Sequence, residues 1–322
     1  MPVAGFLRSR FRLLPPVPAR RLAAAAVLIA GVALLAEPAL LAAQETRVVM
    51  LGTGTPNPDP ERSGPAVAIV TGGKAYLVDA GPGLVRRAAQ AARDEKIAEL
   101  QAARLGIVFI THLHSDHTVG LPDLLHTSWV AEREEPLQVF GPPGIEAMME
   151  HLTAAWSEDI AVRTDGSQPH TPNGWKVAAT TVQPGVIYRD ANVVVEAVPV
   201  PHTTWKHAYG YRFTTRDRVI VVSGDTRGTD AIAQACNGCD VLIHEVYSAA
   251  GFARRPAPWQ DYHRDSHIST TALAALATKA RPGLLLLYHQ LYWGATDADL
   301  IREIRAAGYT GPVESARDLG IY

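Results

Sequence analysis

His112-Leu113-His114-Ser115-Asp116-His117 places three imidazoles and one carboxylate within six residues. Burying such a set without a cation would leave unpaired polar groups, at roughly 1–3 kcal/mol each. The hexapeptide therefore reads as a metal site. Imidazole nitrogens with a carboxylate and no thiolate suit zinc, and by ligand type are also compatible with iron or manganese. Side chains of neighbouring residues diverge from a turn, so six residues cannot enclose an ion alone. Distant groups must complete the shell, and His202, Asp225 and His289 each follow the end of an apolar, strand-like run, at Val198, Val222 and Leu287.

These groups need a scaffold that brings far-apart strand ends together. Short β-rich runs come first, at Arg47–Leu51, Ala66–Val70 and Ala75–Val78. A helix is predicted over Leu84–Leu105, then a strand at Ile107–Ile110 that runs into the histidine cluster, at the carboxyl end where α/β folds bind ligands. Helices at Leu121–Val130 and Ile145–Trp156, a polar loop at Asp165–Asn173, and strands at Lys176–Thr181, Val193–Val198, Tyr209–Thr214 and Val219–Val222 follow. The end alternates again: Asp230–Ala235, Val241–Ile243, Thr270–Lys279, Leu284–Leu287 and Asp297–Ala307. Two comparable halves of strands and helices predict two sheets face to face with helices outside, an αββα sandwich of the α+β class.

Arg8, Arg10, Arg12, Arg20 and Arg21 precede an uncharged apolar run from Leu22 to Ala36. Its 15 residues fall short of the about 20 needed to span a bilayer, and Ala42-Ala43 offers a cleavage zone. Residues 1–43 are therefore expected to be a signal peptide, with 44–322 as one domain in the periplasm or secreted. The alternative is an uncleaved anchor, since Leu40 and Leu41 extend the run; otherwise no stable membrane insertion is expected. Removing five Arg and Glu37 from 30 basic and 32 acidic residues leaves 25 and 31, a formal charge of −6, which argues against a polyanionic substrate. Cys236 and Cys239 form a single C-x-x-C, read as two thiols or one local disulfide because no second pair completes a structural zinc site.

The chain resembles the metallo-β-lactamase superfamily, in its ribonuclease Z and arylsulfatase-like branch. The resemblance covers most of 47–322. It is carried by Leu51-Gly52-Thr53-Gly54-Thr55-Pro56, Val78-Asp79-Ala80-Gly81, the H-x-H-x-D-H, Ser223-Gly224-Asp225-Thr226-Arg227, Ile243-His244-Glu245, His267-Ile268-Ser269-Thr270 and Tyr288-His289. It implies two zinc ions per chain: His112, His114 and His202 on one, Asp116, His117 and His289 on the other, and Asp225 shared. Such a centre lets a shared water lose a proton near neutral pH and act as nucleophile. His207 competes with His202, which is preferred. Asp79 resembles the acid that orients a zinc histidine, or else caps a turn before Gly81. Gly52-Thr53-Gly54 is assigned to a loop flanking the site, because Pro56, Pro58 and Pro60 disfavour a phosphate-cradling helix start.

Glu245 and His267 resemble a dyad that protonates the leaving oxygen, with the carboxylate expected to raise the imidazole pKa. The alternative is that His267 only caps the helix starting near Ser269-Thr270. The expected function is an exported dizinc hydrolase of a small ester, a phosphodiester or aryl sulfate. Alternatives are a zinc β-lactamase or lactonase, an iron-dependent oxidoreductase of the same fold, or a scaffold without turnover. Transfer RNA is expected to be an unlikely substrate, because Gly141–His202 contains Arg163, Lys176 and Arg189 among more numerous acids. The resemblance is compatible with a homodimer. Trp129, Trp205, Tyr247, Tyr292 and Trp293 are candidate pocket walls.

Overall fold

The computed structural model describes residues 45–322, which form one compact unit. The expected signal peptide lies outside the described residues. Alternation sorts the first strands into two faces. In β1 (Arg47–Gly52), Val48 and Met50 face one core while Val49 and Leu51 face another. The first sheet runs in chain order from β1 through β2 (Ala66–Thr71), β3 (Lys74–Val78), β4 (Ile107–Phe109) and β5 (Leu137–Gly141) to β6 (Val177–Thr181). Its first three strands are antiparallel and the rest parallel.

The second sheet carries β7 (Gly185–Arg189), β8 (Val193–Pro199), β9 (Tyr209–Thr215), β10 (Val219–Val222), β11 (Val241–Tyr247), β12 (Leu284–Leu291) and β13 (Val313–Ser315), adjacent in that order. It is antiparallel from β7 to β10 and parallel from β10 to β13. Val48, Met50, Tyr76 and Phe109 of the first sheet meet Tyr211, Phe213, Val222 and Ile243 of the second in the central core. Outside the first sheet pack α1 (Leu84–Asp94), α3 (Leu121–Val130) and α4 (Ile145–Ala155). Outside the second pack α6 (Asp230–Cys236), α9 (Thr270–Ala280) and α10 (Asp297–Ala306). This is the expected αββα sandwich. Among the described residues, no helix is long and apolar enough to cross a membrane.

The helix expected to run to Leu105 stops at Asp94. Lys96 takes a left-handed conformation, φ +58°, and two short 3-10 turns then bury Ile97, Leu100 and Leu105 in the core α1 already faces. The sequence reading missed the helical turn at Ser115–Thr118, β5, α5 (Ser157–Asp165), β7, α7 (Ala249–Phe252), α8 (Ala257–Ser266) and β13. Both β11 and β12 run four residues beyond their expected ends, carrying the polar stretches His244-Glu245 and Tyr288-His289-Gln290 into the sheet. Cys236 and Cys239 form a buried disulfide.

Candidate metal centre

Parallel strands β3 and β4 of one sheet, and β10, β11 and β12 of the other, deliver their carboxyl ends to one rim of the sandwich. His112 and His114 follow β4, and the single turn α2 (Ser115–Thr118) carries Asp116 and His117. His202 lies beyond β8 and Asp225 beyond β10. The turn before Asp225 needs Gly224: φ is +60°, and a Cβ would lie 2.7 Å from the Tyr209 carbonyl oxygen. His289 is reached differently. Glu245 pairs with Tyr288 and Val246 with Gln290, so His289 is an extra, bulged residue with φ +46°. Bulges re-aim side chains beside active sites.

The side chains converge as two groups. His112 Nε2 and His114 Nδ1 lie 2.8 Å apart, and His202 Nε2 is 3.2 Å from the same Nδ1. Asp116 Oδ2 is 3.4 Å from His117 Nε2 and 3.2 Å from His289 Nε2. Asp225 stands between them, its Oδ2 3.5 Å from both His117 Nε2 and His289 Nε2 and 3.9 Å from His112 Nε2. The ligand atoms of His112, His114, His202 and Asp225 fall within 4.8 Å of one another, as do those of Asp116, His117 and His289.

Hydrogen bonds on the far side of the rings fix which nitrogens are free. His202 Nδ1 donates to the Ser266 carbonyl at 2.8 Å, leaving an Nε2 lone pair facing the cluster. His117 Nδ1 donates to Asp79 Oδ2 at 2.8 Å, and His117 Nε2 is buried without a partner, as is Asp225 Oδ1. Asp79 also accepts from the Thr111 N–H at 2.8 Å. Burial holds His114 and His202 down to about 4 and His112 well below its ordinary value. Burial opposes charge on His117, but Asp79, Asp225 and Asp116 outweigh it and raise the ring's pKa. Buried imidazoles, of which His117 and His202 turn Nε2 inward, with an orphaned Asp225 oxygen and no thiolate, fit divalent cations.

Glu245 Oε2 lies 3.4 Å from His267 Nδ1, and Oε1 accepts from the Ile268 N–H at 2.8 Å. Burial, then the charge of Asp225, pushes Glu245 well above the carboxylate range, while burial holds His267 down to about 4. The imidazole is not raised as expected, because burial outweighs the nearby charges of Asp225 and Asp116. His267 Nδ1 is also 4.0 Å from Asp225 Oδ2.

Above the cluster opens a cavity of about 790 Å³, bordered by His114, Asp225, His267 and His289 on one side and by Trp259 and Trp293 on the other. A larger groove of about 830 Å³, between α4, α5 and β6, contains none of the clustered groups.

The family described as a beta-lactamase superfamily domain matches residues 74–290. Ribonuclease Z of Mycobacterium bovis (strain BCG / Pasteur 1173P2) is 32% identical over 84% of this chain and 96% of its own length. The chain belongs to the metallo-β-lactamase superfamily. With its ribonuclease Z relatives and this cluster, it is a metal-dependent hydrolase of ester-type bonds. Two solved structures share the fold. A metallo-β-lactamase fold protein from Bacillus subtilis has a TM-score of 0.65 and 17% identity, covering 86% of this chain and 98% of its own. The short form of human tRNase Z has a TM-score of 0.64 and 23% identity over the same shares.

The relatives overturn one expectation. Transfer RNA was set aside on the scarcity of basic residues between Gly141 and His202, yet proteins named ribonuclease Z match this superfamily member along nearly their whole length. A local charge count is weaker than full-length kinship, so it does not exclude that substrate class.

All seven expected ligands meet at one centre of the binuclear kind, while His207 is exposed and stands apart. Asp79 orients His117, as expected. Pro56 and Asn57, just after Gly54, border the cavity. Of the candidate aromatics, Trp293 lines the cavity and Trp205 Nε1–H donates to His114 Nε2 at 2.8 Å. Tyr247 is buried against Phe252 and Trp293. Tyr292 bonds Asp297, and Trp129 donates to the Thr171 carbonyl in a separate region. Sequence reasoning missed Arg255, Trp259, Tyr262 and His263. The signal was there: Trp259, Tyr262, His263 and His267 follow helical spacing on one face.

Proposed function

We propose that the chain is a dizinc phosphodiesterase. The single observation that carries the reading is Asp225 held between two histidine groups, with the Glu245/His267 pair at the edge of the same cavity. His112, His114 and His202 would hold one ion and Asp116, His117 and His289 the other, with Asp225 serving both. Bound zinc ions activate water for attack and neutralise charge on phosphoryl oxygens. Asp79 and the Ser266 carbonyl keep His117 and His202 in the tautomers that present Nε2. His267, with Glu245 Oε2 3.4 Å from its Nδ1, would hand a proton to the departing oxygen. A phosphodiester is favoured over an aryl sulfate by the ribonuclease Z kinship, which also brings 3′-extended tRNA among the substrates to be tested.

The test is metal content, followed by hydrolysis of bis(p-nitrophenyl) phosphate, p-nitrophenyl sulfate, a lactone, nitrocefin and 3′-extended tRNA. Two zinc ions per chain and turnover of a phosphodiester are expected. Full zinc loading with cleavage of only nitrocefin or the sulfate would refute the proposal. The arginine-rich, apolar leader supports a location outside the cytoplasm, and the Cys236–Cys239 disulfide suits an oxidising compartment. Fractionation with N-terminal sequencing tests this; a cytoplasmic, unprocessed chain would refute it.

A further inference from the structure

The cavity over the metal centre has a second wall that hydrolysis does not use. Helix α8 presents Trp259, Tyr262 and His263 on one face and ends at His267, so this wall and the group that protonates the leaving oxygen ride on one rigid element. Trp259 is 50% exposed and Tyr262 38%, aromatic surface that the chain leaves uncovered beside its catalytic centre. Trp293 faces them across His263, whose ring lies 4.5 Å from Trp293 and 5.7 Å from Trp259 by centroids. The Arg255 guanidinium sits over both indoles, at 5.6 and 5.4 Å.

Two buried polar atoms on this wall have no hydrogen-bond partner: Arg255 Nε and Nδ1 of His263, a residue only 7% exposed. Flat aromatic faces alone would suit any apolar group. Flat faces together with unspent hydrogen-bonding atoms and a cation suit a heteroaromatic ring with a polar edge. Resting on the phosphodiesterase reading, we infer that Arg255, Trp259, Tyr262, His263 and Trp293 form the specificity subsite, which stacks a nucleobase of the ester undergoing cleavage.

Two substrates with the same leaving group test this: thymidine 5′-(p-nitrophenyl phosphate) and methyl p-nitrophenyl phosphate. The wild-type enzyme should prefer the nucleoside ester in kcat/KM. Trp259→Ala or Trp293→Ala should lower that ratio about tenfold, the scale of one lost stacking partner, and Trp259→Phe should retain most of it. Because the ratio is taken within each variant, loss of folded enzyme cancels. A ratio unchanged in both alanine variants overturns the subsite.

Calorimetric binding of thymidine 5′-monophosphate to the zinc-loaded protein separates this inference from the one beneath it. Binding that weakens about tenfold in Trp259→Ala, with no diester turned over, keeps the subsite and refutes the phosphodiesterase. Turnover without base preference does the reverse. A dinucleotide and a 3′-extended tRNA distinguish a small nucleotide from a polynucleotide end. The same Trp259→Ala loss is expected with whichever is cleaved, and its absence with both counts against the subsite.

Discussion

Asp79 Oδ2 accepts the His117 Nδ1 proton at 2.8 Å from a residue whose own backbone is left-handed, φ +61°. A non-glycine residue is rarely held there unless its surroundings demand it. The demand is visible: Asp79 Oδ1 takes the Thr111 N–H while Oδ2 takes His117. Asp79→Asn has one acceptor for two donors, so one bond becomes donor against donor. Metal affinity should fall by roughly 10–100-fold, measured by competition with a chromophoric chelator; affinity equal to wild type would sink the orienting role.

Asp225→Ala removes the group shared by both halves of the centre. Metal bound per chain should drop below the wild-type number, and activity should fall by more than the roughly 100-fold that loss of an orienting partner costs. Elemental analysis beside steady-state kinetics checks both. Retention of full metal and activity would mean that the carboxylate bridges nothing.

His267→Ala should slow substrates in proportion to how badly their leaving oxygen needs a proton. Loss on the order of 10²–10⁴ is expected for an alkoxide leaving group and far less for p-nitrophenolate. A series of aryl and alkyl diesters measures the dependence. An equal loss across the series would reduce His267 to a structural cap.

Metal removal should destabilise the fold. Cations present at about 1,000 times their dissociation constant add about 4 kcal/mol, which for a chain of this size is on the order of 10 °C in Tm. Thermal melts with zinc and with a chelator check it. Superimposable melts would show that the cluster binds no cation tightly.

Asp190 gives a pH signature away from the metal centre. Burial opposes its charge, but the Asn192 N–H, the Tyr76 and Tyr188 hydroxyls and the Lys74 ammonium outweigh it and hold the carboxyl down to about 2. A folded-state value below the ordinary 3.8 means that the charge stabilises the fold above about pH 4 and that this contribution fades as pH falls toward 2. Asp190→Asn should therefore lower the urea midpoint at pH 6 and lower it less at pH 3. A gap that widens on acidification would reverse the sign.

The ligands were legible because their side-chain types have few other uses when packed after apolar strands. His112 to His117, Asp225 and His289 announce themselves in this way. What was hidden depends on conformation. The end of α1 turns on a left-handed lysine, Lys96, which no propensity singles out. The bulge at His289 emerges only when β12 is paired with β11. Helix α8 opens after Pro256 with Pro258 in its first turn, which a helix accepts, and its polar residues mask the aromatic stripe.

The centre draws Asp79 and His112–His117 from the first sheet and His202, Asp225 and His289 from the second. Neither half owns a complete coordination set, so a chain cut between β6 and β7 would yield two fragments that each bind cations poorly and recover tight binding only on reassembly. Cation capture is thus a late event in maturation, a clasp that reports when both halves have docked.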